Sequence, residues 1–174
     1  MCGDRAGVLR VFDLLTMEQK HGTHAHAAEL LTLHYSPTMY PQGDSEWAAD
    51  TPDADVGEMT RGESLVLLAS AGRDRLVHVF NASEEYRLVS TLDNHSSPVT
   101  TVKFTPDGKR LISCSADKTM VFSSVSGTDI DLLKSVPTPH GTVNGLAIEA
   151  SNKFAVSSGQ VNYMIVICYA VLQF

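Results

Sequence analysis

One recurring unit constrains the fold of this chain more than any other sequence feature. In its clearest copy, residues 95–124, a His opens the unit and a first apolar run, Val99–Phe104, follows. A Thr-Pro-Asp-Gly turn at 105–108 leads to a second apolar run at 111–115, and a tight turn at 116–119 leads to a third. Pro presets φ and Gly accepts a positive φ, so these turns are typical of antiparallel hairpins. The unit therefore predicts a small antiparallel meander that must stack on a neighbour to be stable.

Further copies are recognisable by their spacing. His95 precedes Asp117 by 22 residues, whereas His26 precedes Asp74 by 48, and the excess of 26 residues is one polar insertion. Parts of two more copies lie near the N-terminus and from His140 onward. A period of about 43–45 residues with four short strands per unit is typical of β-propeller blades. We therefore predict an all-β fold, an open segment of a β-propeller with four-stranded antiparallel blades.

The repeat divides the chain into five segments. They are a partial blade at 1–25, a blade at 26–94 with the insertion at 37–63, a blade at 95–139, a partial blade at 140–160, and an apolar tail at 161–174. A closed propeller pairs its last blade with strands of its first, and two blades with two partial blades are too few for a seven-bladed ring. We expect an excerpt or a truncated product, whose open edges are covered by further blades of a longer chain or by a partner.

Polar residues recur at matching positions of the units. The predicted network residues are His26, Ser70 and Asp74 in one blade, His95, Ser113 and Asp117 in the next, Asp4 and His140 in the partial blades, and Phe12 and Phe80 after the turns. His, Ser and Asp resemble a hydrolase triad, but a triad recurring about every 44 residues without a GxSxG elbow is not expected of an enzyme. Buried His, Ser and Asp that satisfy one another explain the repetition better, so we predict a structural network and no catalysis.

These units resemble WD repeats, in which a loop His, a second-strand Ser and a turn Asp precede a Trp-Asp pair. The strings CGDRAG, LLASAGRDRLVHV, LDNHSSPVTTVKF and ISCSADK also resemble the mitogen-activated protein kinase-binding scaffold family, over roughly residues 2–160 with gaps. Phe12, Phe80 and Ser123 occupy the Trp position, so the indole N–H is missing.

The resemblance implies a non-catalytic scaffold whose protein partners belong to mitogen-activated kinase signalling, of the c-Jun N-terminal kinase class, or to the centrosome and spindle. The family's kinase-docking segments lie outside the propellers, so the resemblance assigns no kinase site here. Two alternatives remain open at this point. The chain is a WD subunit of another cytoskeletal or intraflagellar assembly, or it is a truncated gene product without function.

Composition excludes several partners. The net charge of −7 and the pI near 5.4 argue against nucleic acid, which requires a basic face. The three Cys follow no paired spacing, which favours buried free thiols in a reducing compartment, and no signal peptide is visible. His21, His24 and His26 are close in sequence, yet no Cys or carboxylate cluster completes a metal site, so we expect a solvated loop and no cofactor. We therefore predict a cytoplasmic protein that binds no membrane. The family resemblance adds an association with the cytoskeleton or the centrosome.

The insertion 37–63 differs in composition from the repeats. It is rich in Asp, Glu and Pro, has a single basic residue, Arg61, and shows no periodicity, which is typical of a mobile loop. Trp47 within it either packs on the propeller edge or anchors a partner. Arg73 and Arg75 flank the turn Asp74 and are candidates for partner contacts or for ordinary solvation.

The tail VNYMIVICYAVLQF departs from the repeat, because Val161 stands where the turn Asp is expected and no charge or turn follows. Three interpretations remain: a degenerate third strand, sequence foreign to the repeat, or a membrane segment, for which about 12 apolar residues are too few.

Overall fold

The computed structural model describes residues 2–38, 65–138, 141–159 and 164–168, the last as backbone only. These residues form four antiparallel sheets, numbered here in chain order. The all-β prediction is confirmed, and the sheets form an unclosed propeller segment. No helix in the described part of the chain is long and apolar enough to cross a membrane.

Each sheet is built from consecutive strands. Sheet 1 contains β1 (Cys2–Gly3), β2 (Val8–Phe12) and β3 (Gln19–His24). Sheet 2 contains β4 (Leu30–Tyr35), β5 (Leu67–Gly72), β6 (Val77–Asn81) and β7 (Arg87–Leu92). Sheet 3 contains β8 (Val99–Phe104), β9 (Arg110–Ser115), β10 (Thr119–Ser126) and β11 (Asp129–Pro137). Sheet 4 contains β12 (Val143–Ile148), β13 (Phe154–Gly159) and β14 (Met164–Cys168).

The predicted turn at 105–108 illustrates how the local sequence sets these strands. Thr105 N–H donates to the Arg110 carbonyl at 2.9 Å, and Gly108 has the positive φ, 71°, that the turn requires. The Thr105 hydroxyl donates to Asp107 Oδ1 at 2.5 Å and accepts from Arg110 N–H at 3.0 Å. The turn is satisfied by its own residues, which fixes the register of β8 on β9.

Two sequence predictions need revision. The solvated loop expected around His21 and His24 is wrong, because both residues lie in β3, which pairs with β2. As an outermost strand β3 has mostly exposed side chains, so it lacks the apolar alternation by which strands are recognised. In the tail, Met164–Cys168 pairs with Phe154–Ser158 as a third strand, which is the first of the three interpretations above.

Three apolar layers hold the sheets face to face. Between sheets 1 and 2 lie Leu9, Leu30, Leu68 and Phe80. Between sheets 2 and 3 lie Leu67, Ala69, Ala71, Val77, Val79, Val99, Val102, Phe104, Leu111 and Val125. Between sheets 3 and 4 lie Ile112, Cys114, Met120, Phe122, Val143, Leu146 and Ala155. Since opposite faces of sheets 2 and 3 are both covered, their middle strands are buried nearly throughout.

Hydrogen bonds also join the first strands of neighbouring sheets. Thr32 Oγ1 accepts from the backbone N–H of Val102 at 3.4 Å. His34 Nδ1 accepts from the backbone N–H of Phe104 at 3.1 Å. The Thr100 hydroxyl, in turn, donates to the backbone carbonyl of Val143. The innermost strands β4, β8 and β12 are therefore linked as well as packed.

The antiparallel order defines two rims. The upper rim comprises the connections 4–7, 25–29, 73–76, 93–98 and 116–118. The lower rim comprises 13–18, 82–86, 105–109, 127–128 and 149–153 together with 36–38, where the insertion starts. Residues that serve a common function at one rim can therefore come from different sheets.

Candidate functional site

The first polar network lies at the upper rim of sheet 2. His26, in the connection before β4, places Nδ1 2.8 Å from Asp74 Oδ2 and Nε2 2.7 Å from Ser70 Oγ. Asp74 Oδ2 also accepts from the Ala27 backbone N–H at 3.1 Å. A neutral ring that donates through Nδ1–H and accepts the Ser70 hydroxyl proton satisfies every group. The network ties the entry loop of the sheet to its second strand and its turn.

Sheet 3 repeats this arrangement. His95 Nε2 lies 2.9 Å from Ser113 Oγ, and Nδ1 lies 3.1 Å from both Asp117 Oδ2 and Thr119 Oγ1. The Ser96 backbone N–H donates to Asp117 at 2.9 Å. The structure thus brings together both predicted triplets of His, Ser and Asp.

Burial governs the electrostatics of these networks. It lowers the pKa of His26, although the Asp74 carboxylate pulls in the other direction. Burial opposes ionisation of Asp117, but hydrogen bonds from Thr119 and Ser96 together with the nearby His95 hold its pKa below the usual range. Each network therefore contains a carboxylate that is stabilised by donors, as a structural site requires.

The geometry does not favour catalysis by either triplet. Ser70 is 0% exposed and Ser113 is 4% exposed, so a substrate cannot reach either hydroxyl oxygen. A nucleophile must contact the reacting atom at about 3 Å. What the arrangement can do is satisfy buried polar groups and fix the loops of the upper rim.

His78 is a network member that sequence reasoning missed. It stands opposite Ser70 in the ladder, its ring centroid is 4.5 Å from that of His26, and its Nδ1 lies 2.9 Å from Thr91 Oγ1. Burial lowers its pKa, and the neighbouring His26 adds to the effect. The sequence does contain a signal for this residue, because counting outward from the turn at Asp74 pairs Ser70 with His78 on the next strand.

The same residues are the ones to consider for a cation. Ligand atoms of His26, Asp74 and His78 lie within 4.8 Å of one another, the one such group among the described residues. Both ring nitrogens of His26 already have hydrogen-bond partners, and Nδ1 of His78 also has one. We assign the group to hydrogen bonding.

Asp4 is not the equivalent of Asp74, contrary to the spacing prediction. Gly7, Arg75 and Lys118 are the turn residues with positive φ, so they occupy equivalent positions in the three turns. The network Asp directly precedes this position in sheets 2 and 3, whereas Asp4 lies three residues before it and is therefore two positions too early. Asp4 Oδ1 accepts from the backbone N–H of Ala6 and of Val8, and Oδ2 pairs with Arg10 at 2.7 Å. Backbone hydrogen bonds, that of Val8 first, lower its pKa, and it contacts no His among the described residues.

The remaining predicted residues are in several places. Phe80 is buried between sheets 1 and 2, whereas Phe12 is half-buried at the end of β2. Arg73 pairs with Glu29 at 2.6 Å, and Arg75 is exposed with no ion pair to a described residue. His140 and Trp47 lie outside the described residues, as does most of the insertion.

The cysteines differ from one another, contrary to the prediction that all are buried. Cys114 is a buried free thiol, and burial raises its pKa to about 12. Cys2 is an exposed free thiol. It occupies in β1 the place that Ser70 has in β5, so the first sheet lacks the network hydroxyl.

A pocket at the lower rim is the second site that the sequence did not reveal. It has a volume of about 420 Å³ and lies where the first strands of sheets 2, 3 and 4 approach one another. Its lining includes His34, Lys103, Phe104, Pro106 and Ile148. Burial and the Lys103 charge lower the pKa of His34 to about 4, so the ring is neutral at pH 7.

Stacked four-stranded antiparallel sheets with a His–Ser–Asp network in each complete sheet define a WD-repeat propeller segment. The family described as "WD domain, G-beta repeat" matches residues 86–122. The chain is a WD-repeat protein, and it resembles the mitogen-activated protein kinase-binding protein 1 and WD repeat-containing protein 62 family.

Comparison with individual curated relatives measures this similarity. The chain is 43% identical to human mitogen-activated protein kinase-binding protein 1 over 122 residues, 69% of the chain and 6% of that protein. It is 38% identical to pig WD repeat-containing protein 62 over 165 residues, 91% of the chain and 9% of that protein. It is 31% identical to mouse pre-mRNA-processing factor 19 over 96 residues, 55% of the chain and 18% of that protein. The chain spans less than a tenth of the length of the first two relatives.

Proposed function

We propose that this chain is a non-catalytic segment of a protein-interaction scaffold that binds components of a mitogen-activated protein kinase pathway. The observation that carries the proposal is the 43% identity over 122 residues to a relative whose name states that it binds such a kinase. The layered sheets supply a rigid support on which the rim connections are displayed to partners.

The upper rim is the proposed partner-facing surface because Arg75 is exposed there. It is exposed, makes no ion pair with a described residue, and has a φ of 74° that is fixed by the turn. An exposed Arg that forms no ion pair with a described residue is the kind of residue that anchors an interface.

Direct binding tests this proposal. The chain is immobilised, and purified kinases of the c-Jun N-terminal, p38 and extracellular-signal-regulated classes are passed over it. We expect one class to bind, and Arg75→Glu to weaken that binding about tenfold, equivalent to about 1.4 kcal/mol. Lys153→Glu makes the same charge change at an exposed residue near sheet 4 and is the matched control. Absence of binding by every class contradicts the kinase proposal.

The proposal of a non-catalytic role has its own test. Ester, peptide and phosphate substrates are supplied to the wild type and to Ser113→Ala. We expect equal background rates, because Ser113 is buried and bonded to His95. A rate that disappears in Ser113→Ala would establish an enzyme.

We further propose a cytoplasmic location with recruitment to the centrosome, which rests on the family resemblance. A fluorescently tagged chain expressed in dividing cells, imaged with a centrosome marker, tests this. Uniform cytoplasmic signal at every stage of division would contradict recruitment.

A further inference from the structure

The connection between β2 and β3 exposes three apolar side chains at the lower rim. Leu14 is 78% exposed, Leu15 is 95% exposed and Met17 is 74% exposed. Most other large apolar side chains of the described residues are at least half covered by the sheets. A cluster of nearly bare apolar residues at one point of a surface is typical of a protein contact. Residues 14–17 are called the apolar tip below.

The apolar tip is held in one conformation. Asp13 Oδ1 accepts from the backbone N–H of Leu15 at 2.8 Å and of Thr16 at 3.2 Å. The Met17 N–H donates to the Asp13 carbonyl at 2.9 Å, and Met17 has a φ of 60°. Asp13 is also paired with Lys20 at 3.6 Å. A preorganised loop loses little conformational entropy on binding, so little of the free energy gained by covering its apolar side chains is lost to ordering the loop.

The lower-rim pocket has complementary properties. Its walls include Phe104, Pro106, Leu146 and Ile148, and its volume of about 420 Å³ falls within the range of about 300–1,000 Å³ typical of ligand sites. Lys103 contributes the cationic group of its lining. The pocket therefore suits an apolar side chain that has a carboxylate beside it.

The chain carries such a group itself. Glu18 follows the apolar tip directly and is exposed, and neither Glu18 nor Lys103 has an ion pair among the described residues. The tip and the pocket both belong to the lower rim, because β2 ends there and so do β4 and β8. Two copies that meet lower rim to lower rim present each tip to the other's pocket.

We propose that the chain self-associates through this surface, with the apolar tip of each copy in the lower-rim pocket of the other and Glu18 beside Lys103. A two-fold arrangement uses the same contact twice and closes on itself, as an isologous interface does. A lipid surface is disfavoured, because interfacial segments combine apolar residues with Lys and Arg, whereas this tip is flanked by Asp13 and Glu18.

Sedimentation equilibrium of the full chain over a range of concentrations tests the proposal. We expect the wild-type mass to rise from one chain toward two, and Leu15→Asp to stay at one chain. Leu133→Asp makes the same substitution at an exposed leucine of β11, 52% exposed, and should behave as the wild type. A wild type that stays at one chain, or equal loss of association in both variants, would overturn the proposal. Circular dichroism of each variant verifies that the fold is retained.

A charge exchange identifies the pairing itself. Glu18→Lys and Lys103→Glu should each weaken self-association, because both contacts of a homodimer then oppose like charges. An equimolar mixture of the two variants should associate again, since both contacts of the mixed dimer join Lys to Glu. A mixture no tighter than either variant alone rules out the pairing of Glu18 with Lys103. Association at another surface would instead survive all of these substitutions.

Discussion

Asp74 shows how much structure can depend on one side chain. It accepts from His26 and from the backbone N–H of Ala27 and of Leu76, at 2.8, 3.1 and 3.3 Å. Replacing it by Ala leaves the buried Nδ1–H of His26 without an acceptor, so we expect Asp74→Ala to lower the free energy of unfolding by about 2–4 kcal/mol. Urea denaturation measures this change.

The matched control for that variant is Asp131→Ala. Asp131 is an exposed residue of the outermost strand β11 and should change the free energy of unfolding by less than about 0.5 kcal/mol. If the two substitutions had equal effects, the His26 network would not contribute to stability.

His34 gives the protein a pH dependence. Its pKa is lowered from 6.5 to about 4, chiefly by burial and then by the Lys103 charge. Between those values the unfolded chain binds a proton at His34 that the folded chain does not, so stability falls as the pH is lowered from about 6.5 to about 4. We expect His34→Asn, which retains an acceptor for the Phe104 N–H and does not titrate, to reduce that fall. Urea denaturation at several pH values measures it, and an unchanged slope in His34→Asn would contradict the assignment.

At the scale of an element, the turn between β1 and β2 depends on glycine. Gly7 has a φ of 75°, and a Cβ there would collide with the carbonyl oxygen of His26. Gly127, in the turn between β10 and β11, has a φ of 60° but open space around it. Gly127→Ala should therefore cost about 1 kcal/mol, the conformational penalty alone. Gly7→Ala should cost about 3 kcal/mol or more, because the backbone of the next connection must move.

Thermal unfolding of both variants distinguishes these effects. A larger loss of stability in Gly127→Ala than in Gly7→Ala would mean that the close approach of His26 to the turn is not maintained in solution. Equal losses of stability would mean that the positive φ alone sets the cost of both substitutions.

The strands and turns were largely predictable because their signals are local. The Thr-Pro-Asp-Gly turn connects β8 to β9 through contacts among its own residues, and the first apolar run of the clearest unit was predicted with the bounds of β8, Val99–Phe104. Strand β3 was not found, because an outermost strand needs no apolar face. Asp4 was misplaced because equal spacing does not establish equal register, which only the turn geometry fixed.

At the scale of the whole molecule, sheets 2 and 3 share the largest apolar layer. Leu67 is fully buried in it, and Leu67→Ala should lower the free energy of unfolding by about 3 kcal/mol. Because the layer is common to both sheets, amide hydrogen exchange should accelerate in β6 and in β8 together. Leu133→Ala, at an exposed position, is the control. Acceleration confined to sheet 2 would show that the two sheets open independently.

The sites that the sequence did not reveal arise only at this scale. The lower-rim pocket combines residues of β4, β8 and β12, and none of these strands has a distinctive motif at its end. The apolar tip begins directly after Asp13, in an ordinary Asp turn. It differs from the other connections in the high exposure of its apolar side chains. Such features depend on the relative placement of sheets, which single-sequence periodicity does not encode.

The links between the innermost strands have a consequence for the ancestry of the chain. In each link one partner is a side chain, of Thr32, His34 or Thr100, and the other is a main-chain group that nearly every amino acid possesses. Mutations on the receiving strand therefore leave these links intact, so neighbouring units are free to acquire unlike sequences.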